Sequence, residues 1–147
     1  MTAEDAAEWA ASAGLLLLST EFDGSTFSTV RHEVREMASR SRLSDDDLDD
    51  FVIAVNEIMT NVVRHGGGSG RLRLWRDGVL LCQVADHGHG FDPAPHLERE
   101  RRPRPTPTGG MGLWLAQQTS DKLTINTGPS GTTINIVGHL PSGAAGC

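Results

Sequence analysis

The sequence predicts a two-layer α/β (α+β) sandwich, with helices on one face of a mixed, largely antiparallel sheet. Three observations carry this prediction. The elements run in the order β-α-α-β-β-α-β-β, the strands pair through short glycine-containing turns, and two helices follow each other without a strand between them. A doubly wound nucleotide-binding fold is disfavoured, because in that fold strands and helices alternate.

Composition indicates one soluble domain. The chain has 147 residues, of which 37% are hydrophobic and 22% charged, and this is enough for a hydrophobic core. A net charge of −6 argues against nucleic-acid binding through phosphate neutralisation. The apolar run 10–18 is too short for a membrane span, and the residues before it have the wrong charge for a secretory signal. Cys82 and Cys147 form no disulfide framework, which fits a cytoplasmic protein.

The first half of the domain is predicted as one strand and two helices. We expect a leader over 1–13 and the domain over 14–140, beginning with a strand at 14–22. Ser25 or Thr26 is placed to cap a helix that ends near Arg40. Ser44 is placed to cap the next helix, whose first turn carries three aspartates that interact favourably with the helix dipole, and which stops at 66–68, all glycine. Its apolar residues form one continuous stripe: Leu48, Phe51, Val52, Val55, Ile58, Met59 and Val62.

The second half is predicted as two hairpins around a long connection. Asp77-Gly78 is a strong turn signal between strands at 71–75 and 79–85. The connection, about 92–111, is rich in proline and arginine and is predicted to be a mobile lid. A short helix follows from Gly112 to about Ser120, and a last hairpin turns at 128–131. We expect a disordered tail over 141–147.

Three short motifs carry the chemistry, and the first lies on the second helix. Glu57, Asn61 and His65 are spaced by four residues and share one helix face, away from the apolar stripe. An amide oxygen such as that of Asn61 suits Mg²⁺, and Glu57 could hold a metal-bound water or accept a proton from a hydroxyl. The alternative is a solvated helix face, in which His65 simply complements the helix dipole.

The second motif ends a predicted strand in Asp86, followed by Gly88 and Gly90. An ionised Asp86 could accept a hydrogen bond from the exocyclic amine of adenine. The two glycines would let the backbone approach the base, where a Cβ would clash. A plain strand-to-loop turn explains the same residues equally well.

The third motif places Gly109, Gly110 and Gly112 at a helix start. Free N–H groups and the helix dipole suit phosphate there, although the spacing is not that of a P-loop. Arginines of the 92–111 connection could also reach phosphates, or could form a solvated charge run. No nucleophile motif is present, so any chemistry is phosphoryl transfer by positioning and Mg²⁺.

Together and in this order, the motifs resemble the N, G1 and G2 boxes of the GHKL ATPase superfamily, over about residues 14–138. Within it, the stretches Thr-Gly-Gly-Met-Gly-Leu-Trp-Leu-Ala at 108–116 and Gly-Pro-Ser-Gly-Thr-Thr at 128–133 look like the RsbW-like anti-sigma factor serine kinases.

This resemblance implies a Bergerat-type ATP-binding fold with ATP and Mg²⁺ as ligands. Asn61 would ligate Mg²⁺, Glu57 would act as the catalytic base or hold a water, and Asp86 would bind adenine. The remaining residues of the motifs would shape the nucleotide pocket and the lid hinge: Gly88, Gly90, Gly109, Gly110, Met111, Gly112, Leu113 and Thr132.

The resemblance also implies an activity and partners. Such proteins bind a sigma factor and phosphorylate a serine or threonine of a STAS-type antagonist, often as homodimers. The expected function is therefore an ATP-dependent protein serine/threonine kinase that acts as an anti-sigma factor. Two alternatives remain: a partner-binding module that responds to nucleotide without transferring phosphate, and an ATPase domain that regulates another domain in cis.

Overall fold

The structure is a computed structural model that describes residues 14–88 and 111–140, with the backbone alone for 111–114. The predicted leader, most of the predicted lid and the predicted tail lie outside these residues. The described elements follow the predicted order: β1 Leu15–Asp23, α1 Phe27–Arg40, α2 Asp45–His65, β2 Ser69–Arg76, β3 Val79–Asp86, α3 Met111–Thr119, β4 Lys122–Gly128 and β5 Gly131–His139.

The described strands form one five-stranded sheet in the order β1-β2-β3-β5-β4, and every neighbouring pair is antiparallel. The predicted fold class is confirmed, with no parallel pair among these strands. β1 is an edge strand, and its register against β2 shifts between Leu16 and Leu18, which marks a bulge. In the part of the chain that the structure describes, no helix combines the length and apolar character needed to cross a membrane.

The main core lies between the sheet and the helices. Because side chains alternate along a strand, Leu80, Cys82 and Val84 of β3 all face this core and are at most 1% exposed. Each fully buried aliphatic side chain stabilises the fold by about 1.5–3 kcal/mol. The predicted apolar stripe of α2 is buried in the same core: Leu48, Phe51, Val52, Val55, Ile58, Met59 and Val62.

The two long helices begin differently. At α2 the prediction is confirmed, since Ser44 Oγ accepts a hydrogen bond from the Asp47 N–H at 3.2 Å. At α1, Thr26 takes the N-cap position without making a side-chain cap, because its Oγ accepts from the Asp23 N–H at 2.9 Å. Asp23 Oδ1 instead accepts from the N–H groups of Ser25 and Thr26, at 2.8 and 3.1 Å. The predicted position of the cap at Thr26 is therefore confirmed, but the expected side-chain hydrogen bond is not formed. Hydrogen bonds from Ser25 and Thr26 lower the pKa of Asp23.

The turn between β4 and β5 brings β5 against the end of β3. Gly131 has φ of 142°, which residues with a Cβ rarely adopt. A Cβ on Gly131 would also overlap the carbonyl oxygen of Asp86. At the other end of the same turn, a Cβ on Gly128 would meet no heavy atom within 4 Å. Only one of the two glycines is therefore required by a close approach.

We expect Gly131→Ala to lower the free energy of unfolding by about 1–3 kcal/mol, because it adds backbone strain and a clash with Asp86. Gly128→Ala is the matched control in the same turn and is expected to change stability by less than about 0.5 kcal/mol. Urea denaturation followed by circular dichroism measures both values. Equal stabilities of the two variants would show that the close approach of Gly131 does not constrain the fold.

Candidate functional site

Asp86 is the last residue of β3 and lies on the side of the sheet that faces the helices. In the sheet register it stands opposite Gly70 of β2 and Thr132 of β5. Its Oδ1 accepts two backbone hydrogen bonds, from the N–H of Gly88 at 2.8 Å and from that of Thr132 at 3.2 Å. Two donors on one oxygen fix the orientation of the carboxylate. Oδ2 receives no hydrogen bond from a described residue, so a ligand donor can use it.

The end of α2 lies directly against this carboxylate. Gly66 is the C-cap of α2, and a Cβ there would stand 2.5 Å from Asp86 Oδ2 and 2.8 Å from its Cγ. A Cβ on Gly88 would lie 2.9 Å from the Gly66 Cα. Glycine at 66 and 88 therefore lets three backbone segments meet around one side chain. The sequence interpretation treated Gly66 only as a helix stop and Gly131 only as a turn residue, so it missed their contacts with Asp86.

A signal for both missed glycines exists in the sequence. Gly66 follows the first motif directly, and Gly131 directly precedes Thr132, which the resemblance assigned to the pocket. A glycine adjacent to a proposed site residue is a position where close backbone approach is worth considering. The contacts themselves need the fold, because they join residues far apart in the chain.

Glu57 and Asn61 are both half-buried on α2. Neither side chain makes a hydrogen bond to another residue of the ranges 14–88 and 115–140, so their oxygen atoms are open to a ligand. The prediction that Glu57 lies on a face away from the core is only partly right. Burial raises the pKa of the Glu57 carboxyl, and nearby Arg64 lowers it to a smaller extent. A carboxylate with a raised pKa is a better proton acceptor.

The positions along α2 determine which ligand could reach all of these groups. Gly66 touches Asp86, Asn61 precedes Gly66 by five residues, and Glu57 precedes it by nine. At 1.5 Å per residue the offsets along the helix axis are about 8 Å and about 14 Å. A ligand that contacts both Asp86 and Glu57 must therefore be elongated, with a hydrogen-bond donor at one end.

The other predicted site residues fall into two groups. Thr132 is 5% exposed, and its Oγ lies 2.8 Å from the Thr127 Oγ in a hydrogen bond. The structure thus brings Asp86, Gly88 and Thr132 together, while their role at a nucleotide stays a prediction. Met111, Gly112 and Leu113 form the start of α3, which packs mainly against α2. Their role at a phosphate stays a prediction, and three predicted residues lie outside the described ranges: Gly90, Gly109 and Gly110.

The residues present fit a magnesium ion carried by a ligand. Across 14–88 and 111–140, no group of three or more His, Cys, Asp or Glu could hold a metal ion alone. Mg²⁺ keeps several waters and binds through one or two protein oxygens together with substrate phosphates. The half-buried amide of Asn61, with no hydrogen-bond partner among the described side chains, can supply one such oxygen.

The two-layer arrangement of the described residues, with helices packed on one face of an antiparallel sheet, is the fold of the histidine kinase-like ATPase class. Residues 21–137 match the family model of the histidine kinase-like ATPase domain, and the chain belongs to this family.

Individual relatives agree with this assignment. The chain is similar to the serine-protein kinase RsbW of Staphylococcus epidermidis, with 29% identity over 126 residues, covering 77% of this chain and 79% of that protein. It also resembles the solved RsbU and RsbW domains of Rv1364c from Mycobacterium tuberculosis, with a TM-score of 0.56 and 22% identity, covering 84% of this chain and 32% of that one. The mycobacterial sensor histidine kinase MprB gives a TM-score of 0.50 at 23% identity, covering 84% and 98%. The two solved structures support the fold.

We expect Glu57→Gln to stabilise the protein at neutral pH. The folded-state pKa of Glu57 is raised above its usual 4.5, so the ionised carboxylate destabilises the folded state above that pKa. Below pH 4.5 the carboxyl is protonated in both states, and the destabilisation disappears. The variant should therefore melt at a higher temperature than the parent chain at pH 7, with the difference closing as the pH falls through 4.5.

Thermal melts at several pH values test this, with Glu33→Gln on the exposed face of α1 as the control. The control should show no such convergence. A difference at pH 7 that persists unchanged at pH 4 would mean that desolvation of the Glu57 charge does not cause it.

Proposed function

We propose that this chain binds ATP with Mg²⁺ and transfers the terminal phosphate to a serine or threonine hydroxyl of a partner protein. One observation carries the proposal. The Asp86 carboxylate is anchored through Oδ1, is open at Oδ2, and lies at the end of the helix that bears Asn61 and Glu57.

At the base end of the site, Asp86 selects the nucleotide by hydrogen-bond polarity. Oδ2 can accept a hydrogen bond from the exocyclic amine of adenine. Guanine carries a carbonyl oxygen at the same position, which would face the carboxylate without a donor between them. An unmade hydrogen bond at a partly buried site costs about 1–3 kcal/mol, more for charged groups, so adenine is preferred.

At the phosphate end, Asn61 and Glu57 position the reacting groups. Asn61 would hold the ion through its amide oxygen, and Mg²⁺ supplies charge neutralisation on the phosphates when bound. Glu57 lies one helical turn before Asn61 and would accept the proton of the attacking hydroxyl, or hold a metal-bound water. Its raised pKa suits the first role.

The protein acceptor rests on the relative, and the regulatory role rests on the motif resemblance. RsbW of S. epidermidis is a serine-protein kinase, and the similarity covers most of both chains. This supports an ATP-dependent serine/threonine kinase. The anti-sigma factor role, with a sigma factor and a STAS-type antagonist as partners, belongs to the proposal through the resemblance of the three motifs. A cytoplasmic location and a homodimer belong to the same proposal.

A second candidate is a module that binds nucleotide and regulates a partner or a neighbouring domain without transferring phosphate. The M. tuberculosis structure is a precedent for a neighbouring domain in the same chain, because there an RsbW domain is joined to an RsbU domain. This chain spans about a third of that length. The two candidates differ only in phosphate transfer. Only the first candidate therefore requires Glu57 to act as a base.

Asp86→Asn should weaken ATP binding at least tenfold. The amide oxygen of asparagine can still accept from Gly88 and Thr132, which leaves an N–H₂ group where Oδ2 stood. A donor would then face the adenine amine, and losing a hydrogen bond to a charged group costs about 1.5–3 kcal/mol. Titration calorimetry with ATP and GTP measures the effect.

The matched control is Asp50→Asn on the exposed surface of α2, which should bind ATP like the parent chain. ATP affinity retained in Asp86→Asn would remove Asp86 from the base-binding role. Failure of the parent chain to bind ATP at all would contradict the proposed function itself.

Asn61→Ala and Glu57→Gln should separate binding from transfer. The first should remove the Mg²⁺-dependent part of ATP affinity, because the protein loses its metal-binding oxygen. The second should keep ATP affinity and lose at least 100-fold in phosphate transfer, the usual contribution of a general base.

Transfer is measured as thiophosphate incorporation from ATPγS into proteins of a cell extract, identified at serine and threonine by mass spectrometry. Unchanged transfer in Glu57→Gln would contradict the base role, and ATP binding without transfer by the parent chain would support the second candidate.

A further inference from the structure

The outward side of α2 carries one large apolar side chain that the core does not use. Ile53 is 39% exposed, whereas the apolar stripe of the same helix is buried. Among the residues that the structure describes, the other exposed large apolar side chains are those of Leu15 and Leu16, and both belong to the edge strand β1. Ile53 differs from them because it lies on the helix that bears Glu57 and Asn61.

Ile53 and Glu57 share one side of this helix. Residues four positions apart lie about one turn apart on the same face. Asp50 and Asp46, which are both exposed, precede Ile53 by three and seven positions, so they extend this face towards the start of α2. We call Asp46, Asp50 and Ile53 the outer α2 face.

Described elements cover the other sides of α2 and leave the outer α2 face open. On one flank the Arg31 guanidinium of α1 donates to the Asn56 side-chain oxygen at 3.0 Å. Asp47 lies nine residues before Asn56 and therefore on the opposite flank, where it lines a cleft together with Gln118 and Thr119 of α3. The buried stripe of α2 packs with the sheet in the main core.

The layout of the proposed nucleotide site determines the side from which a phosphate acceptor arrives. The nucleotide would extend from Asp86, at the end of α2, back along the helix to Glu57. In phosphoryl transfer the attacking and leaving oxygens lie roughly in line with the phosphorus. The leaving oxygen belongs to the rest of the nucleotide, so the attacking hydroxyl comes from the opposite side. Ile53 lies on that side, about 6 Å beyond Glu57 along the helix axis.

We propose that the outer α2 face binds the segment of the partner protein that carries the acceptor serine or threonine. Ile53 contacts an apolar side chain next to the acceptor, and Asp46 and Asp50 contact a basic side chain further along the segment. This inference rests on the proposed function and deepens it, because it names the chemistry of the segment that the kinase recognises.

Helix and strand dimensions give the spacing within the acceptor segment. An extended segment rises about 3.3 Å per residue, so two residues cover the roughly 6 Å between Glu57 and Ile53. Side chains two residues apart point to the same side of an extended segment. The acceptor hydroxyl therefore reaches Glu57 while the apolar side chain about two positions away contacts Ile53.

The charges on this side of the helix suit a basic partner. Asp49, on the flank nearest α1, forms an ion pair with Arg35. Asp46 and Asp50 form no ion pair with a residue of the ranges 14–88 and 115–140, so their charges are available to a partner. Exposed pairs of this kind add little affinity, but they select and orient the partner. The apolar contact at Ile53 therefore supplies most of the binding, and the two aspartates supply direction.

Kinetics with the natural acceptor test the contact at Ile53. The acceptor is the protein that the parent chain thiophosphorylates in the cell extract, purified and titrated against each variant. Ile53→Asp should raise the KM for this protein by about tenfold or more, because the burial of one aliphatic side chain is lost. The kcat and the ATP affinity should stay near those of the parent chain. Ile53→Ala, which favours the helix, should raise the KM less, and Ile53→Leu should restore it.

The matched control is Leu15→Asp, which places the same charge on an exposed apolar residue of β1 and should leave the KM unchanged. Equal KM values for Ile53→Asp and Leu15→Asp would overturn the inference alone, whereas no transfer by the parent chain would overturn the proposed function as well. A dimeric parent chain that becomes monomeric in Ile53→Asp, measured by sedimentation, would assign Ile53 to a second copy and overturn the acceptor role.

The charged part of the surface has its own test. Asp50→Lys should raise the KM for the acceptor at low salt, and the increase should shrink at high salt because salt screens exposed charges. An effect of the same size at both salt concentrations would contradict a contact with a basic side chain. Mass spectrometry of the thiophosphorylated protein should also find an apolar residue about two positions from the modified hydroxyl, and polar residues on both sides would contradict the contact with Ile53.

Discussion

The Asp86 carboxylate is the point at which the end of the sheet contacts the end of the long helix α2. One oxygen accepts two backbone N–H groups, and the other lies against the backbone at the end of α2. Such close packing leaves no room for side chains on the surrounding segments. Gly66 and Gly88 meet this requirement. Two further glycines allow close approach of backbone to backbone nearby: a Cβ on Gly131 would overlap the Asp86 carbonyl oxygen, and one on Gly70 would stand 2.7 Å from the Ala85 carbonyl oxygen. The glycines at 66 and 88 are thus a consequence of the half-buried Asp86 carboxylate, and those at 70 and 131 of close backbone approach at the same end of the sheet.

The sequence predicts elements well where local chemistry decides them. The apolar stripe of α2, its Ser44 cap and the turn at Gly78 each depend on residues a few positions apart, and each is confirmed. Strand limits differ from the predicted ones by one or two residues, because strand ends depend on the partner strand. The side-chain cap predicted for α1 is not formed because a competing local hydrogen bond takes its place: Thr26 Oγ accepts from the N–H of Asp23.

The same distinction between local and tertiary contacts applies to the candidate site. Helical spacing is enough to put Glu57 and Asn61 on one face, and strand alternation with the turn residues points to Asp86. The half-burial of Glu57 was not foreseen, since a helix projection assumes one buried side, whereas α2 is flanked by the sheet, α1 and α3. The contacts of Gly66 and Gly131 with Asp86 are tertiary, and no spacing rule contains them. Family membership, by contrast, rests on a match over 21–137 and does not depend on any single contact.

The bulge in β1 has a consequence for colloidal behaviour. A sheet edge exposes unpaired N–H and C=O groups, and an apolar edge strand is a template for intermolecular strand addition. β1 is such an edge, and Leu15 and Leu16 are 56% and 49% exposed at its start. The register shift between Leu16 and Leu18 interrupts the regular ladder at the apolar end of the strand. An incoming strand would lose hydrogen bonds there, so the irregularity protects the folded protein from aggregating through its most apolar edge.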